Sequence, residues 1–256
     1  LYGVRGANGV ILIQTKKGRT GKASINVQYD QGLTEFTRLP QFADGITYMN
    51  IANEAYKSSN PSDPNPRYSA DRIEQTINQS DPDLYPNVDW FDVVFNRFGN
   101  NRRGRVNANG GSERAQYYLS VGYYDEPGMF KTDELADYNS AMKFSRFNFT
   151  SNLTLDVTKT TKVDFGASGW ISNGNYPGNS TGSIFNAAYV LPPITIPVTY
   201  SNGLFSRIRT GDVSNPYTLL TQSGYATEFR NQLWSNIRLT QDFGFWIDGL
   251  SATGMF

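Results

Sequence analysis

Residues 145–171, SRFNFTSNLTLDVTKTTKVDFGASGWI, decide how the rest of the chain is read. Phe147, Phe149, Leu153, Leu155 and Val157 alternate with Arg146, Asn148, Thr150, Asn152, Thr154 and Asp156. Thr158 to Thr161 form a turn, after which Val163, Phe165, Ala167 and Ile171 continue the scheme against Lys162, Asp164, Gly166 and Ser168. Successive side chains of a strand point to opposite faces, so the stretch predicts a long antiparallel hairpin with one apolar and one polar face. Each arm is long enough to cross a bilayer at a tilt.

The same period recurs on either side. Ala23, Ile25, Val27 and Tyr29 alternate with Ser24, Asn26, Gln28 and Asp30, and strand-like runs at 101–109 and 114–125 flank Gly110-Gly111-Ser112-Glu113, a strong hairpin signal. Phe229, Leu233, Ile237 and Leu239 alternate with Arg230, Gln232, Asn236 and Arg238, with Trp234 on the polar side. A short turn at 244–249 leads to a last strand at 250–256. Two segments, 37–100 and 173–225, break the pattern. Asp44 there predicts the N-cap of a helix carrying Ile46, Met49, Ala52, Asn53 and Tyr56, and Ser69 that of a second carrying Ile73 and Ile77. Shorter helices are expected near 183–190 and 217–222. Long and short connections alternate, as in outer-membrane barrels, which have short turns on one side and long loops on the other. A soluble sandwich has no reason to sort its loops by parity. Seven predicted strands are an odd number, whereas bacterial single-chain barrels close with an even one. The chain is therefore expected to supply part of a wall.

Composition narrows the chemistry. The 256 residues carry 23 basic and 23 acidic side chains and no like-charge block, which argues against a nucleic-acid partner. The absence of Cys and His removes disulfides, thiol nucleophiles, imidazole or thiolate metal sites and Ser-His-Asp arrangements. No cofactor is expected; structural Ca²⁺ on oxygen ligands stays open but has no ligand set in its favour. No apolar run reaches the length of a membrane-spanning helix, which says nothing about strands. Tyr (16), Phe (16) and Gly (24) suit an outer-membrane barrel or a glycan-binding β-sandwich.

Residues 1–18, LYGVRGANGVILIQTKKG, place Gly3, Gly6 and Gly9 ahead of the apolar run Val10–Ile13 and then Lys16-Lys17. On the residues alone this is a strand buried on both faces, entered through a glycine-rich turn. The wording of residues 2–18 closely resembles the end of the plug domain of TonB-dependent outer-membrane transporters, the SusC/RagA branch in particular. Weaker echoes follow in Asp89-Trp90-Phe91-Asp92, in Gly110-Gly111-Ser112-Glu113 with Tyr117, Ser120, Gly122, Tyr123 and Gly128, and in Ser145-Arg146-Phe147-Asn148.

The resemblance implies an all-β fold: a transmembrane antiparallel barrel of about 22 strands filled by a plug, with long extracellular loops carrying short helices. Residues 1–22 would end the plug, and residues 23–256 would form the first seven strands of the wall, with long loops at 37–100 and 173–225. It implies TonB-driven import of oligosaccharides or peptides through the outer membrane of a diderm bacterium, with a SusD-like surface lipoprotein, in a dimer of transporter–lipoprotein pairs, and no enzymatic role. The plug-end motif is Gly3, Arg5, Gly6, Asn8, Gly9, Lys16 and Lys17; Arg5, Asn8, Lys16 and Lys17 would anchor the plug to the polar inner wall. Trp90, Trp170 and Tyr176 are the candidate ligand-binding residues, because an aromatic face can stack on a sugar, although Trp90 with Phe91 reads first as core. The alternatives are a siderophore-type or other nutrient receptor, a soluble glycan-binding β-domain, and a glycosidase using a pair from Asp81, Asp83, Asp89 and Asp92.

Overall fold

The computed structural model describes residues 9, 15–132, 138–208 and 214–256. In chain order they form β1 (Gly21–Glu35), α1 (Gly45–Ser59), α2 (Ala70–Asn78), α3 (Trp90–Val94), β2 (Phe98–Gly111), β3 (Ala115–Pro127), β4 (Lys143–Asp156), β5 (Thr161–Pro177), α4 (Thr181–Val190), α5 (Pro216–Thr221), β6 (Tyr225–Asp242) and β7 (Ser251–Met255). The strands make one seven-stranded sheet in sequence order, each antiparallel to the next. The sheet is open: among the described residues the outer edges of β1 and β7 have no strand beside them. An open edge leaves a row of unpaired backbone donors and acceptors.

Register carries the alternation of each strand across the whole sheet. Val27, Val106, Val121, Phe149, Gly169 and Leu233 lie in one row, and Tyr29, Gly104, Tyr123, Phe147 and Ile171 in the next. These side chains share a face that no described residue covers: Val27 is 74% and Leu233 66% exposed. The opposite face carries Gln28, Arg105, Gly122, Asn148, Trp170 and Gln232 in one row. Trp234 pairs with Ser168 and so lies on that polar face, as its place in the sequence pattern predicts. On β4 the apolar stretch runs from Phe147 to Leu155. At about 3.4 Å per residue this is roughly 27 Å along the strand, or about 21 Å in height at the usual barrel tilt, close to the apolar band of such walls. Above it the same face turns polar, where Lys143 Nζ meets Asp125 at 3.3 Å.

Several strands outrun their sequence pattern. β1 continues past Asp30 because Gln31 to Glu35 stay in register with Arg102 to Phe98. Ladder hydrogen bonds join backbone groups and do not depend on the alternation above them. β5 likewise runs on to Pro177, which faces Tyr225 at the end of the ladder; a proline is tolerated there because few further donors are required.

The described residues of the three longer connections, 36–97, 128–142 and 178–224, pack together at one end of the sheet. Asp44 caps α1 by accepting from Thr47 N at 2.8 Å, and Ser69 caps α2, both as expected. Asp89 caps α3, Ser180 caps α4, and Asn215 with Pro216 starts α5. One apolar cluster joins the three connections: Trp90, Phe91, Val94 and Phe95 from the first, Phe130 from the second, and Ile184, Ala188, Leu191 and Leu220 from the third. Polar ties reinforce it. Val88 N donates to Pro193 O at 3.0 Å, Lys131 N to Val94 O at 2.9 Å, and Tyr138 Oη to Thr221 O at 2.9 Å. The buried amide of Asn215 donates to Val198 O and Ser206 O while its oxygen caps α5, so one side chain pins two turns.

Two outcomes follow from this architecture. Phe149→Arg places a charge in the middle of the apolar face and is expected to destabilise membrane assembly by roughly 2–4 kcal/mol, read as loss of folded protein from the outer-membrane fraction, whereas Ser168→Arg on the polar face is expected to assemble normally. The bond from Thr47 N holds the Asp44 carboxyl below its usual range. Stabilisation from a lowered folded-state pKa is complete above the unfolded value, about 3.9, and is lost as pH falls through the folded one. Acid should therefore fray the start of α1, and Asp44→Ala should cost about 1 kcal/mol at neutral pH, both seen in faster hydrogen exchange at the Thr47 amide.

Candidate functional site

The polar face of the sheet is crossed, near its short-turn end, by the segment that leads into β1. Asn152 of β4 donates from Nδ2 to Lys16 O at 2.7 Å and to Thr15 Oγ1 at 3.2 Å. Lys17 Nζ lies 3.7 Å from Asp164 Oδ1 of β5, and Thr154 Oγ1 donates to the same oxygen at 2.6 Å. Gln116 Nε2 of β3 donates to Thr20 Oγ1 at 3.1 Å. Between these contacts Gly18 rides directly on the β3 backbone, where an added Cβ would stand 2.3 Å from Tyr117 N. Only glycine permits that approach. The segment thus touches three neighbouring strands before Gly21 pairs with Gly111 and the ladder of β1 begins.

Farther up the same face, the segment and strands β2 to β4 border an open cavity of about 830 Å³ lined by Thr15, Lys16, Arg103, Arg105, Tyr124 and Arg146, among others. Arg146 Cζ sits 4.4 Å over the ring of Trp170, and its Nε donates to Asn148 Oδ1 at 3.0 Å. Arg103 Cζ is 5.3 Å from the Tyr124 ring centroid.

The residues singled out from the sequence scatter over these parts. Gly3, Arg5, Gly6 and Asn8 lie outside the described residues, while Gly9 takes a positive φ of 97° that suits a glycine. Lys16 and Lys17 lie on the polar wall. Trp170 is on the same wall beneath Arg146, and the Tyr176 ring covers Gly174 farther along β5. Trp90 is 3% exposed, inside the cluster shared by the loops. The four loop carboxylates are each engaged in local structure. Asp81 accepts from Asp83 N and Leu84 N, Asp83 from Ser201 N and Oγ, and Asp89 caps α3, while Asp92 faces Lys131 at 3.8 Å. Sequence reading singled out neither Asn152 and Gln116 as contacts of the crossing segment nor Arg103 and Arg105. Their signal was present in the period of two, but which polar-face residues meet the segment depends on register.

No protein-family model matches the chain. TonB-dependent receptor SusC of Bacteroides thetaiotaomicron is 27% identical over 246 residues, 95% of this chain and 19% of the relative. TonB-dependent receptor P3 of Formosa agariphila is 25% identical over 231 residues, 87% of this chain and 20% of the relative. Among solved structures, that of the RagAB peptide transporter superposes with a TM-score of 0.65 at 19% identity, over 99% of this chain and 30% of that one. The chain is similar to TonB-dependent receptors of the SusC/RagA kind.

The SusC/RagA-like chain spans about a fifth of the length of the curated relatives it matches. Its sheet is of the outer-membrane β-barrel kind, and the uncovered apolar face is the side such a wall turns to lipid. The polar face is the one that the segment of residues 15–20 crosses.

Because the chain contains no cysteine, the crossing can be tested cleanly. Thr20→Cys with Gln116→Cys, whose native side chains touch at 3.1 Å, should form a disulfide under mild oxidant, seen as a mobility shift on a non-reducing gel. Adding Gly18→Val should abolish most of that cross-linking by forcing the segment off the β3 backbone.

Proposed function

We propose that residues 1–22 end a plug domain and that residues 23–256 form the first seven strands, with their loops, of the wall of a closed outer-membrane barrel of about 22 strands. The complete transporter imports oligosaccharides or peptides under TonB drive, with a SusD-like lipoprotein over its extracellular mouth, and catalyses no reaction. The observation that carries this reading is the segment of residues 15–20, which lies across the polar face at the short-turn end and continues covalently into β1.

That arrangement suits a pulled plug. The contacts along the crossing are individually small: a pair such as Lys17 and Asp164, with the lysine side chain 53% exposed, contributes about 0–1 kcal/mol. A hydrogen bond such as that from Asn152 contributes about 1 kcal/mol. β1, in contrast, is held by a continuous ladder from Ser24 to Glu35 against β2. Tension transmitted from the plug would peel residues 15–20 off the wall and stop at β1, so that the plug could be remodelled without opening the barrel. The fused loops at the other end would give the lipoprotein and the incoming substrate a firm rim. A soluble glycan-binding sheet would instead have to leave the whole row from Val27 to Leu233 in water, far more apolar surface than soluble proteins leave contiguous.

Uptake by cells expressing the full-length polypeptide is expected to stop when TonB is deleted, and a surface lipoprotein should copurify with it. Recovery of an iron chelate and no lipoprotein would transfer the chain to a siderophore-type receptor. Uptake that survives loss of TonB would refute energised import.

A further inference from the structure

We propose that the inner wall carries an anion-binding site, formed by Arg103, Arg105 and Arg146 with Lys16, that takes the carboxylate or sulfate groups of an acidic oligomeric substrate.

The charge of the cavity is one-sided. Its lining includes these four cationic side chains and no Asp or Glu. Among the described residues none of the four makes an ion pair within 4 Å. Two acids on that face accept from neutral donors: Asp30, in register with Arg103, from Gln28 Nε2 at 2.9 Å, and Glu126 from Tyr124 Oη at 2.7 Å. The border supplied by the crossing segment adds another cation in Lys16, not a compensating carboxylate.

The guanidinium groups are also held ready. Arg146 is stacked on Trp170 at 4.4 Å and spends only Nε on Asn148, which leaves its two terminal nitrogens to donate. Arg103 Cζ lies over the Tyr124 ring, 5.3 Å from its centroid. A planar guanidinium with its face on an aromatic ring keeps its edge donors in the fork that matches a carboxylate or sulfate, and stacking removes part of the rotamer entropy that binding would otherwise cost. Arg103 and Arg105 lie two residues apart on β2, about 7 Å at the rise of a strand, and Arg146 lies on β4 one strand beyond β3. That spacing suits several charges along an oligomer better than one isolated ion.

The inference rests on reading this face as the lumen of an importer, so binding and transport are measured separately. Purified full-length transporter is titrated with tetragalacturonate and maltotetraose, and with tetraglutamate and tetraglutamine, at low and high salt. The acidic member of at least one pair should bind more tightly, and the advantage should shrink with salt. Arg103→Gln, Arg105→Gln and Arg146→Gln should each weaken that acidic probe by roughly tenfold while leaving its neutral partner unchanged. The site is refuted if neither acidic probe is preferred, or if the three variants bind it as well as the unaltered protein does. It is equally refuted if the variants lose acidic and neutral probes alike together with thermal stability, since the arginines would then be holding a carboxylate of the polypeptide's own plug. Preferential binding that persists in a protein unable to import leaves the site standing and removes the importer.

Discussion

A sheet with one largely apolar face, uncovered among the described residues, and a polar face opposite it needs two different surroundings at once. Everything else in the chain follows from that constraint. Hydrocarbon can cover the side of Val27, Val121, Phe149 and Leu233, but it cannot satisfy the free backbone edges of β1 and β7. Only further strands can do so within a membrane. The polar side needs water, other protein, or both, and there the crossing segment supplies protein contacts through Thr15, Lys16, Lys17 and Thr20.

The two ends of the sheet are built differently for a related reason. At the short-turn end the connections are tight and local: Ser112 and Thr158 each accept from the backbone amides that close their turns. Such turns leave the polar face open to the segment that crosses it. At the other end the long connections bury Trp90, Val94, Ile184 and Leu220 in a shared apolar cluster, which makes one body of three loops that would otherwise order independently. Loops packed in this way hold one another in place.

Charge is distributed by the same logic. The chain has no net charge, yet its lysines and arginines are not evenly compensated in space. Lys143 meets Asp125 above the apolar band and Arg230 meets Glu228 on β6, whereas Arg103, Arg105 and Arg146 converge on a cavity with no acid in its lining. Balanced composition concealed a one-sided cluster of arginines, because pairing depends on which strands lie side by side.

Alternation at Phe147 to Leu155 and Val163 to Ile171 was enough to assign both faces of the sheet, because side-chain direction in a strand is a local property with a period of two. The caps at Asp44 and Ser69 were legible for the same reason, since a cap satisfies backbone amides within three residues of itself. Strand limits were less legible where residues such as Gln31 and Gly32 break the pattern, for the ladder continues through backbone groups that carry no sequence signal. Tertiary structure alone decided that Trp90 fills a core shared by three loops, that Gly18 lies against Tyr117, and that arginines from β2 and β4 share one cavity with Lys16. Those are meetings between residues 40 to 130 positions apart in the chain, and they depend on register and loop packing, which no single stretch of side chains encodes.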